Sequence, residues 1–276
     1  MDNHLTPTLF SDLALSKRLE RAEGTACLQF AQARRRAFPE SGADWMECAG
    51  TYVVFDGIDS PVTQTFGLGL FAEITASTLE EIEHFFLKRG ASVFHEVSPF
   101  AGTATLSFLC ARGYRPVEIG SVLYRPVENP QPAEPSNISV HAIAPEEAQL
   151  WASISARGWS HEHPELKDFM LQFGALTCAR ENNVSFLAEI DGQPGAAGVL
   201  CMHEGVASFG GAATIPELRR RGLQAALMAV RMRYAFEHGC DLAMMVAEAG
   251  SGSQHNAERQ GFRIAYTRTK WRLPAE

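Results

Sequence analysis

Hydrophobic and polar positions in the C-terminal half alternate in a way that predicts a series of strands and helices. Apolar side chains recur every three to four residues over 222–237, which predicts a helix there. Small and apolar residues on either side of it predict strands at 206–213 and 241–247. A second helix at 252–260 and a last strand running through Trp271 complete the predicted order.

The N-terminal segment shows the same helical period. Apolar residues recur from Leu15 to Phe30, and three arginines, Arg34 to Arg36, follow them. Positive charge near the C-terminal end of a helix interacts favourably with the helix dipole. We therefore expect these arginines to stabilise the helix rather than to bind an anion.

The two halves of the chain resemble copies of each other. Three pairs of anchors align along the sequence: the strand-like segment 66–71 with 209–214, Gly90 with Gly239, and Gly113 with Gly261. Glycine is the usual residue for a left-handed cap at the end of a helix. The first two anchors are six residues closer together in the N-terminal copy, so this copy is predicted to lack about one and a half helical turns.

Four prolines near the middle of the chain divide it almost in half. Pro126, Pro130, Pro132 and Pro135 disfavour a helix or a central strand and predict an extended, semi-rigid connection. We predict a first module at residues 1–127, a proline-rich linker at 128–136 and a second module at 137–276.

Composition excludes several classes of function. The chain has 24 Lys and Arg against 32 Asp and Glu, and its net charge of −8 disfavours general nucleic-acid binding. No apolar run approaches the ~20 residues of a membrane span. The six cysteines have no C-x-x-C spacing, which indicates reduced thiols. These features predict a cytoplasmic protein that binds neither nucleic acid nor a membrane, and they leave the oligomeric state open.

The most informative segment is a basic turn before the helix predicted at 222–237. Arg219, Arg220 and Arg221 stand where the helix dipole disfavours positive charge, and no Ser, Thr, Asp or Asn caps the helix. The backbone N–H groups of about residues 221–225 therefore form a cradle for an anion, and Gly222 allows a close approach. Phosphate or pyrophosphate is the expected ligand.

The equivalent helix of the N-terminal copy has a different start. Ser77 and Glu80 have the spacing of a capping box, which satisfies the first N–H groups within the chain. Glu80, Glu81 and Glu83 add negative charge that repels phosphate. We expect this copy to be closed to the same ligand.

The motif Pro216-x-x-Arg219-x-x-Gly222-x-Gln224 resembles the acyl-CoA pyrophosphate loop of the GNAT acetyltransferase superfamily, Gln/Arg-x-x-Gly-x-Gly/Ala. Gln224 departs from that form. The downstream order of strand, helix, Gly261-Phe262 and strand is similar to the second half of the GNAT fold. The resemblance implies an α/β fold of two GNAT-like modules, the first a degenerate copy. Each would be a mixed, mostly antiparallel sheet with a central pair of parallel strands and flanking helices.

The resemblance also implies acetyl-CoA as the cofactor and acyl donor. In this family the pantetheine arm lies between two parallel strands that separate, and the diphosphate binds at the loop. The implied cofactor-binding residues are Ala212, Ala213, Thr214, Arg219, Arg220, Arg221, Gly222, Leu223, Gln224, Ala225, Ser253 and Asn256. Many members carry a tyrosine acid four residues before the Gly-Phe pair, and Ala257 occupies that position here.

The implied reaction is a direct attack of an acceptor, usually an amine of a small molecule or peptide, on the thioester carbonyl. The amine must first lose a proton, and Glu248, at the end of a predicted strand, is the first candidate for the base. Glu189, Glu204 and His203 are the alternatives. A non-catalytic acyl-CoA-binding or sensing module and a nucleotide site stay open, although no G-x-x-x-x-G-K-[ST] loop is present.

Two further groups give weaker signals. His161 and His163 lack the spacing and the additional ligands of a zinc site, so no metal is expected, and the segment 157–164 is instead a candidate wall of the acceptor pocket. His95 and Glu96, near Ser98, suggest a catalytic cluster. Alternation along a strand places His95 and Glu96 on opposite faces, so we expect an ordinary buried strand.

Overall fold

The computed structural model describes residues 10–129, 137–161 and 164–274. The helices and strands of the described first half are α1 (Leu13–Ala37), β1 (Asp44–Cys48), β2 (Thr51–Phe55), β3 (Gln64–Phe66), α2 (Ala76–Leu87), β4 (Phe94–Val97), α3 (Gly102–Ala111) and β5 (Arg115–Pro126). Asp12 caps α1 by accepting a hydrogen bond from the N–H of Leu15. The last turn of α1 contains Arg34, which pairs with the buried carboxylate of Asp56. The predicted structural role of this arginine is confirmed.

The described second half continues the same alternation. Its helices and strands are β6 (Ile138–Ala142), α4 (Ala148–Trp159), α5 (Lys167–Cys178), β7 (Asn183–Ile190), β8 (Gln193–His203), β9 (Val206–Thr214), α6 (Leu223–Glu237), β10 (Leu242–Glu248), α7 (Gly252–Arg259) and β11 (Arg263–Arg272). The elements predicted between residues 206 and 272 are confirmed to within two residues at each end. Among the helices described here, none has both the length and the apolar character required to cross a bilayer.

The eleven described strands form one continuous sheet, in the order β1-β2-β3-β4-β11-β5-β10-β9-β8-β7-β6. The last strand of each half is exchanged at the centre. β11 pairs with β4 of the first half, β5 pairs with β10 of the second half, and β5 and β11 pair with each other. Each half also contains one parallel pair, β3 with β4 and β9 with β10, as the predicted fold class requires.

The two halves repeat the same local geometry. Thr65 of β3 is the partner of His95 of β4, and Ser208 of β9 is the partner of Met244 of β10. The helix-ending glycines have φ in the left-handed region in both copies: Gly90 (71°), Gly239 (76°), Gly113 (91°) and Gly261 (83°). The predicted capping role of these glycines is confirmed.

The segment 66–71 is not a strand, and the prediction made for it is wrong. β3 ends at Phe66, after which Gly67 and Gly69 have φ of 78° and 74° and turn the chain. Leu68 and Leu70 are buried, so the apolar character of the segment reflects a turn packed into the core. The shortening of the N-terminal copy is divided between this turn and the helix, because α2 has 12 residues and α6 has 15.

Pro126 lies in a central strand, contrary to the prediction. It is the last residue of β5 and the register partner of Leu242, the first residue of β10. At this terminal position the missing N–H removes a donor only at the strand end, and the next residue, Val127, donates to the carbonyl of Asp241. Pro130, Pro132 and Pro135 lie outside the described residues, so the linker at 128–136 stays a prediction.

A buried cluster of charges joins α1 of the first half to β11 of the second. Arg268 of β11 is 3% exposed, and its Nη1 lies 3.3 Å from Glu20 Oε2. Its Nη2 donates to Glu23 Oε1 at 2.7 Å, and its Nε lies 3.1 Å from Glu96 Oε2 in β4. Burial raises the pKa of Glu20 to about 7, although Arg268 opposes that shift. The hydroxyl of Tyr266 also donates to Glu20, at 2.9 Å.

Replacing Arg268 tests the importance of this cluster. Arg268→Met leaves three carboxylates without their common cation, and we expect it to lower the free energy of unfolding by about 3 to 5 kcal/mol. Arg18 also joins α1 to the second half, through a solvent-exposed ion pair with Asp241. The control Arg18→Met should cost less than about 1 kcal/mol in urea denaturation. Equal losses in the two variants would contradict a special role for the buried cluster.

The pKa of Glu20 predicts a pH-dependent stability. The folded protein binds the proton of this carboxyl more tightly than the unfolded chain, where the pKa is 4.5. The stability from this group is complete below pH 4.5 and is lost as the pH rises towards 7. Glu20→Gln is neutral at every pH, so its stability relative to the natural protein should rise by about 1 to 3 kcal/mol between pH 5 and pH 8. A difference that does not change with pH in urea denaturation would disprove this.

Candidate functional site

The strands β9 and β10 separate after a short paired stretch. Their pairing ends at Ser208 and Met244, although both strands continue. A register shift between β8 and β9, together with a φ of 56° at Gly211, bends β9 at this point. We call the opening beyond Ser208 and Met244 the fork. Backbone groups of both strands face it without a partner strand, so it can accept an extended ligand.

A cleft of about 800 Å³ runs from the fork to the N-terminus of α6. Its walls come from β9, α6, β10 and α7, and from Gly158 and Trp159 at the end of α4. Ten of the twelve residues implied as cofactor-binding line it: Ala212, Ala213, Thr214, Arg219, Arg220, Gly222, Gln224, Ala225, Ser253 and Asn256. Arg221 and Leu223 do not line it.

The basic turn has a backbone that requires special conformations. Arg220 has φ of 60° and Gly222 has φ of 91°, both in the left-handed region. At Gly222 a Cβ atom would also lie 3.3 Å from Cδ1 of Ile138. Glycine at this position therefore relieves both backbone strain and steric contact.

The N-terminus of α6 lacks a cap. Gly222 occupies the N-cap position without any side-chain hydrogen bond. Ala226 donates its N–H to the carbonyl of Gly222, whereas the backbone N–H groups of residues 220–225 have no acceptor within the described part of the chain. These N–H groups and the positive end of the helix dipole make the predicted cradle able to bind an anion.

The three arginines of the turn have different roles. Arg219 donates to the carbonyls of Thr214 and Gly158, so it braces the turn against β9 and α4. Arg221 points to Asp191, with 3.7 Å between Nη2 and Oδ2. Arg220 lines the cleft and forms no ion pair with the residues that the structure describes. Arg220 is therefore the arginine best placed to neutralise a bound anion.

Two other loop residues have structural contacts that the motif did not reveal. Leu223 is 1% exposed and belongs to the core of the second half, so only its backbone is directed at the cradle. Gln224 donates from Nε2 to Thr214 Oγ1 at 2.7 Å. This bond ties the first turn of α6 to the end of β9, which explains a glutamine where Gly or Ala is usual in the loop.

α7 supplies the opposite wall of the cleft. Ser253, Asn256 and Arg259 lie three residues apart on one face, and all three line the cleft. Ala257, in the position where a tyrosine acid was considered, lines the cleft and is 1% exposed. No phenol is available from this position.

The candidate bases lie outside this cleft. Glu248 is exposed at the end of β10, where its register partner is Gly120. His203 ends β8 and Glu204 lies in the turn before β9, away from the fork, and Glu189 lies in β7 opposite Pro194. No Asp, Glu or His belongs to the described residues that line the cleft.

Sequence analysis missed Arg231, which lines the inner end of the cleft and is 1% exposed. It lies four residues after Leu227, on the buried face of α6. An arginine among the apolar positions of a helix was the signal that could have identified it. Of the segment 157–164, Gly158 and Trp159 line the cleft, His161 is exposed and His163 lies outside the described residues, so its role as a wall of the acceptor pocket stays a prediction.

The equivalent helix of the first half is capped. Thr75, rather than Ser77, is the N-cap, because its Oγ1 accepts a hydrogen bond from the N–H of Thr78. The prediction that Ser77 and Glu80 form a capping box is therefore wrong. The prediction that a side chain of the protein caps the start of this helix is confirmed.

The side chains of His95, Glu96 and Ser98 do not form a catalytic cluster. His95 is fully buried, its Nδ1 lies 2.8 Å from Thr65 Oγ1, and burial lowers its pKa to about 3. Glu96 lies beside Arg268, and Ser98 shares a hydrogen bond with Ser16. The three side chains have separate partners, as expected for an ordinary buried strand.

Residues 146–262 match the sequence model of the family described as the acetyltransferase (GNAT) family. No curated protein matches the chain. A solved GCN5-related N-acetyltransferase from Kribbella flavida is 17% identical with a TM-score of 0.67, and the match covers 95% of this chain and 96% of that one.

Two other solved structures have the same fold. A GCN5-related N-acetyltransferase from Sphaerobacter thermophilus has a TM-score of 0.54 at 15% identity, covering 93% of each chain. A tandem GNAT protein from the clavulanic acid biosynthesis pathway has a TM-score of 0.56 at 13% identity, covering 82% of this chain and 79% of that one. The fork, the uncapped helix and these matches agree: residues 146–262 match the acetyltransferase (GNAT) family, and the chain has the fold of these GNAT structures over most of its length.

Proposed function

We propose that the protein transfers an acetyl or short acyl group from acetyl-CoA to an amine of a small molecule or peptide. The observation that carries this proposal is the uncapped N-terminus of α6, which opens into a cleft that continues to the fork. The cradle would bind the diphosphate, with Arg220 as its cation. The pantetheine arm would then lie along β9, beside Ala212 to Thr214, with Ser253 and Asn256 on the other side.

The reaction that we propose needs few reactive side chains. The amine attacks the thioester carbonyl, the developing oxyanion accepts hydrogen bonds from backbone donors at the fork, and the thiolate of CoA leaves. A thiol with a pKa of ~8.5 can leave without the acid that Ala257 does not supply. Proton removal from the amine is the remaining task.

Glu248 is the base that we propose, acting through water. It stands at the end of β10, one of the two strands of the fork, and its exposure leaves room for such a water. The first half, which provides the strand beside β10, would cover the acceptor. Trp159, half exposed at the end of α4, would form a wall of the same pocket.

The alternative is an acyl-CoA-binding module without turnover. The absence of Asp, Glu and His among the described residues that line the cleft favours it. Release of CoA thiol from acetyl-CoA in the presence of a panel of amines supports the enzyme. Tight acetyl-CoA binding without thiol release across that panel supports the binding module.

Gly222→Asp tests the cradle. The new carboxylate at the N-cap would accept the free N–H groups of α6 and repel diphosphate, so acetyl-CoA affinity should fall by about 100-fold or more. Gly239→Asp is a matched control, because Gly239 follows the other end of α6 with φ of 76°, and a Cβ atom there would have no neighbouring atom from the described residues within 4 Å. Calorimetry should show unchanged binding in the control. Equal affinity of the two variants would refute the assigned loop.

Glu248→Gln tests the base. We expect kcat at pH 7 to fall by about 100-fold or more, with the acetyl-CoA affinity unchanged, because only proton removal is affected. The acidic limb of the pH–rate profile should shift or disappear. Glu237→Gln, on the exposed end of α6, is the control. A normal profile in Glu248→Gln would exclude this residue and direct attention to Glu189, Glu204 and His203.

A further inference from the structure

Arg231 is a buried cation at the inner end of the cleft. Its Nε donates to the carbonyl of Leu227 at 3.2 Å, and its Nη1 donates to the carbonyls of Val199 at 3.0 Å and Gly210 at 3.4 Å. The guanidinium also lies over the ring of Phe209, with 5.0 Å between Cζ and the ring centroid. Nη2 has no acceptor among the described residues, although it carries two N–H donors.

The charge of Arg231 has no counter-ion in the described protein. No Asp or Glu of that part of the chain forms an ion pair with it, and its acceptors are neutral carbonyls. Burial lowers its pKa to about 10, so it is still protonated at neutral pH. A buried, incompletely bonded cation is costly for folding, which favours a role for it in binding.

The neighbouring strand leaves room for this side chain. A Cβ atom on Gly198 of β8 would lie 3.0 Å from Cζ of Arg231 and 3.1 Å from Nη1. Glycine at this position therefore lets the guanidinium lie close to β8. Any larger residue would displace it.

Arg180 shows what a structural buried arginine looks like in the same chain. It is 7% exposed and lies over Phe30, with 4.0 Å between Cζ and the ring centroid. Its Nε donates to Thr177, its Nη1 to Ala26 and its Nη2 to Asn183, so each nitrogen has a protein acceptor. Arg231 differs because its Nη2 lacks one and because it lines a cleft.

The position of Arg231 along the cleft indicates which part of a ligand it meets. Its backbone lies nine residues after Gly222, which is about 14 Å along the axis of α6. The extended pantetheine arm of CoA has a comparable length. Gly210, whose carbonyl Arg231 contacts, is two residues beyond the last paired position of β9, so Arg231 lies beside the fork.

We propose that Nη2 of Arg231 donates a hydrogen bond to an oxygen at the acyl end of the bound thioester. This proposal rests on the proposed function, because it takes acyl-CoA as the occupant of the cleft. The oxygen is either the thioester carbonyl or the terminal carboxylate of a dicarboxylic acyl group. In both cases the acyl end, rather than the diphosphate, is the part that Arg231 recognises.

The experiment compares four probes in binding calorimetry: ADP, CoA, acetyl-CoA and succinyl-CoA. In Arg231→Met, affinities for ADP and CoA should change less than about twofold, while affinity for an acyl thioester should fall by about tenfold or more, as expected for one charged hydrogen bond. A fall for both acetyl-CoA and succinyl-CoA identifies the carbonyl. A fall for succinyl-CoA alone identifies the carboxylate.

Two further variants separate recognition from folding. Gly198→Ala keeps the charge but forces the guanidinium to shift by a few tenths of an ångström. It should therefore lower the affinity for acyl thioesters selectively, by less than Arg231→Met, and it gives a result even where Arg231→Met does not fold. Arg180→Met should lower the thermal midpoint without changing the ratio of acyl-CoA to CoA affinity. If CoA and its thioesters are affected equally, or none is affected, the role of Arg231 is overturned while cofactor binding stands. If the natural protein binds no CoA compound, the proposed function itself fails.

Discussion

The main-chain pairing of β5 with β10 on one side and with β11 on the other fixes how the two halves of the protein fit together. β5 comes from the first half, yet it pairs with β10 of the second half from Leu242 to Glu248. On its other side β10 pairs with β9 over three positions only. Because β5 supports β10 along its whole length, β9 can diverge without loosening the sheet. The cleft of the second half therefore depends on a strand that the first half provides.

The comparison of the two copies shows how one fold can be open to an anion in one half and closed in the other. In the first half Thr75 caps the start of α2, and the turn after β3 buries Leu68 and Leu70. In the second half β9 continues for six residues past Ser208, and Gly222 leaves the start of α6 uncapped. The difference is local, since the paired positions of the parallel strands are equivalent in both copies.

Sequence reasoning succeeded where one local rule decided the outcome. Helical period and glycine caps located α6, β10, α7 and β11, and the uncapped start of α6 located the cradle. It failed where contacts between distant parts of the chain determine the local structure. Nothing local to Pro126 indicates that β5 is inserted beside β10, and nothing local to segment 66–71 distinguishes a packed turn from a strand. The individual roles of Arg219, Arg220 and Arg221 also depend on distant partners, Gly158 and Asp191, that only the fold brings near.

The partners of the four buried arginines separate those that stabilise the fold from the one that we propose binds a ligand. Arg268 is surrounded by carboxylates, and Arg34 is paired with Asp56, so these two serve the fold. Arg180 has no carboxylate, but all three of its nitrogens have acceptors from the protein. Among the described residues, Arg231 has neither a carboxylate partner nor an acceptor for its Nη2, and it is the member of this set of four that lines the cleft. Because Arg231 lines the cleft and its Nη2 has no acceptor from the described protein, Nη2 can donate to an oxygen of a bound ligand, and a hydrogen bond from a charged donor contributes about 1.5 to 3 kcal/mol.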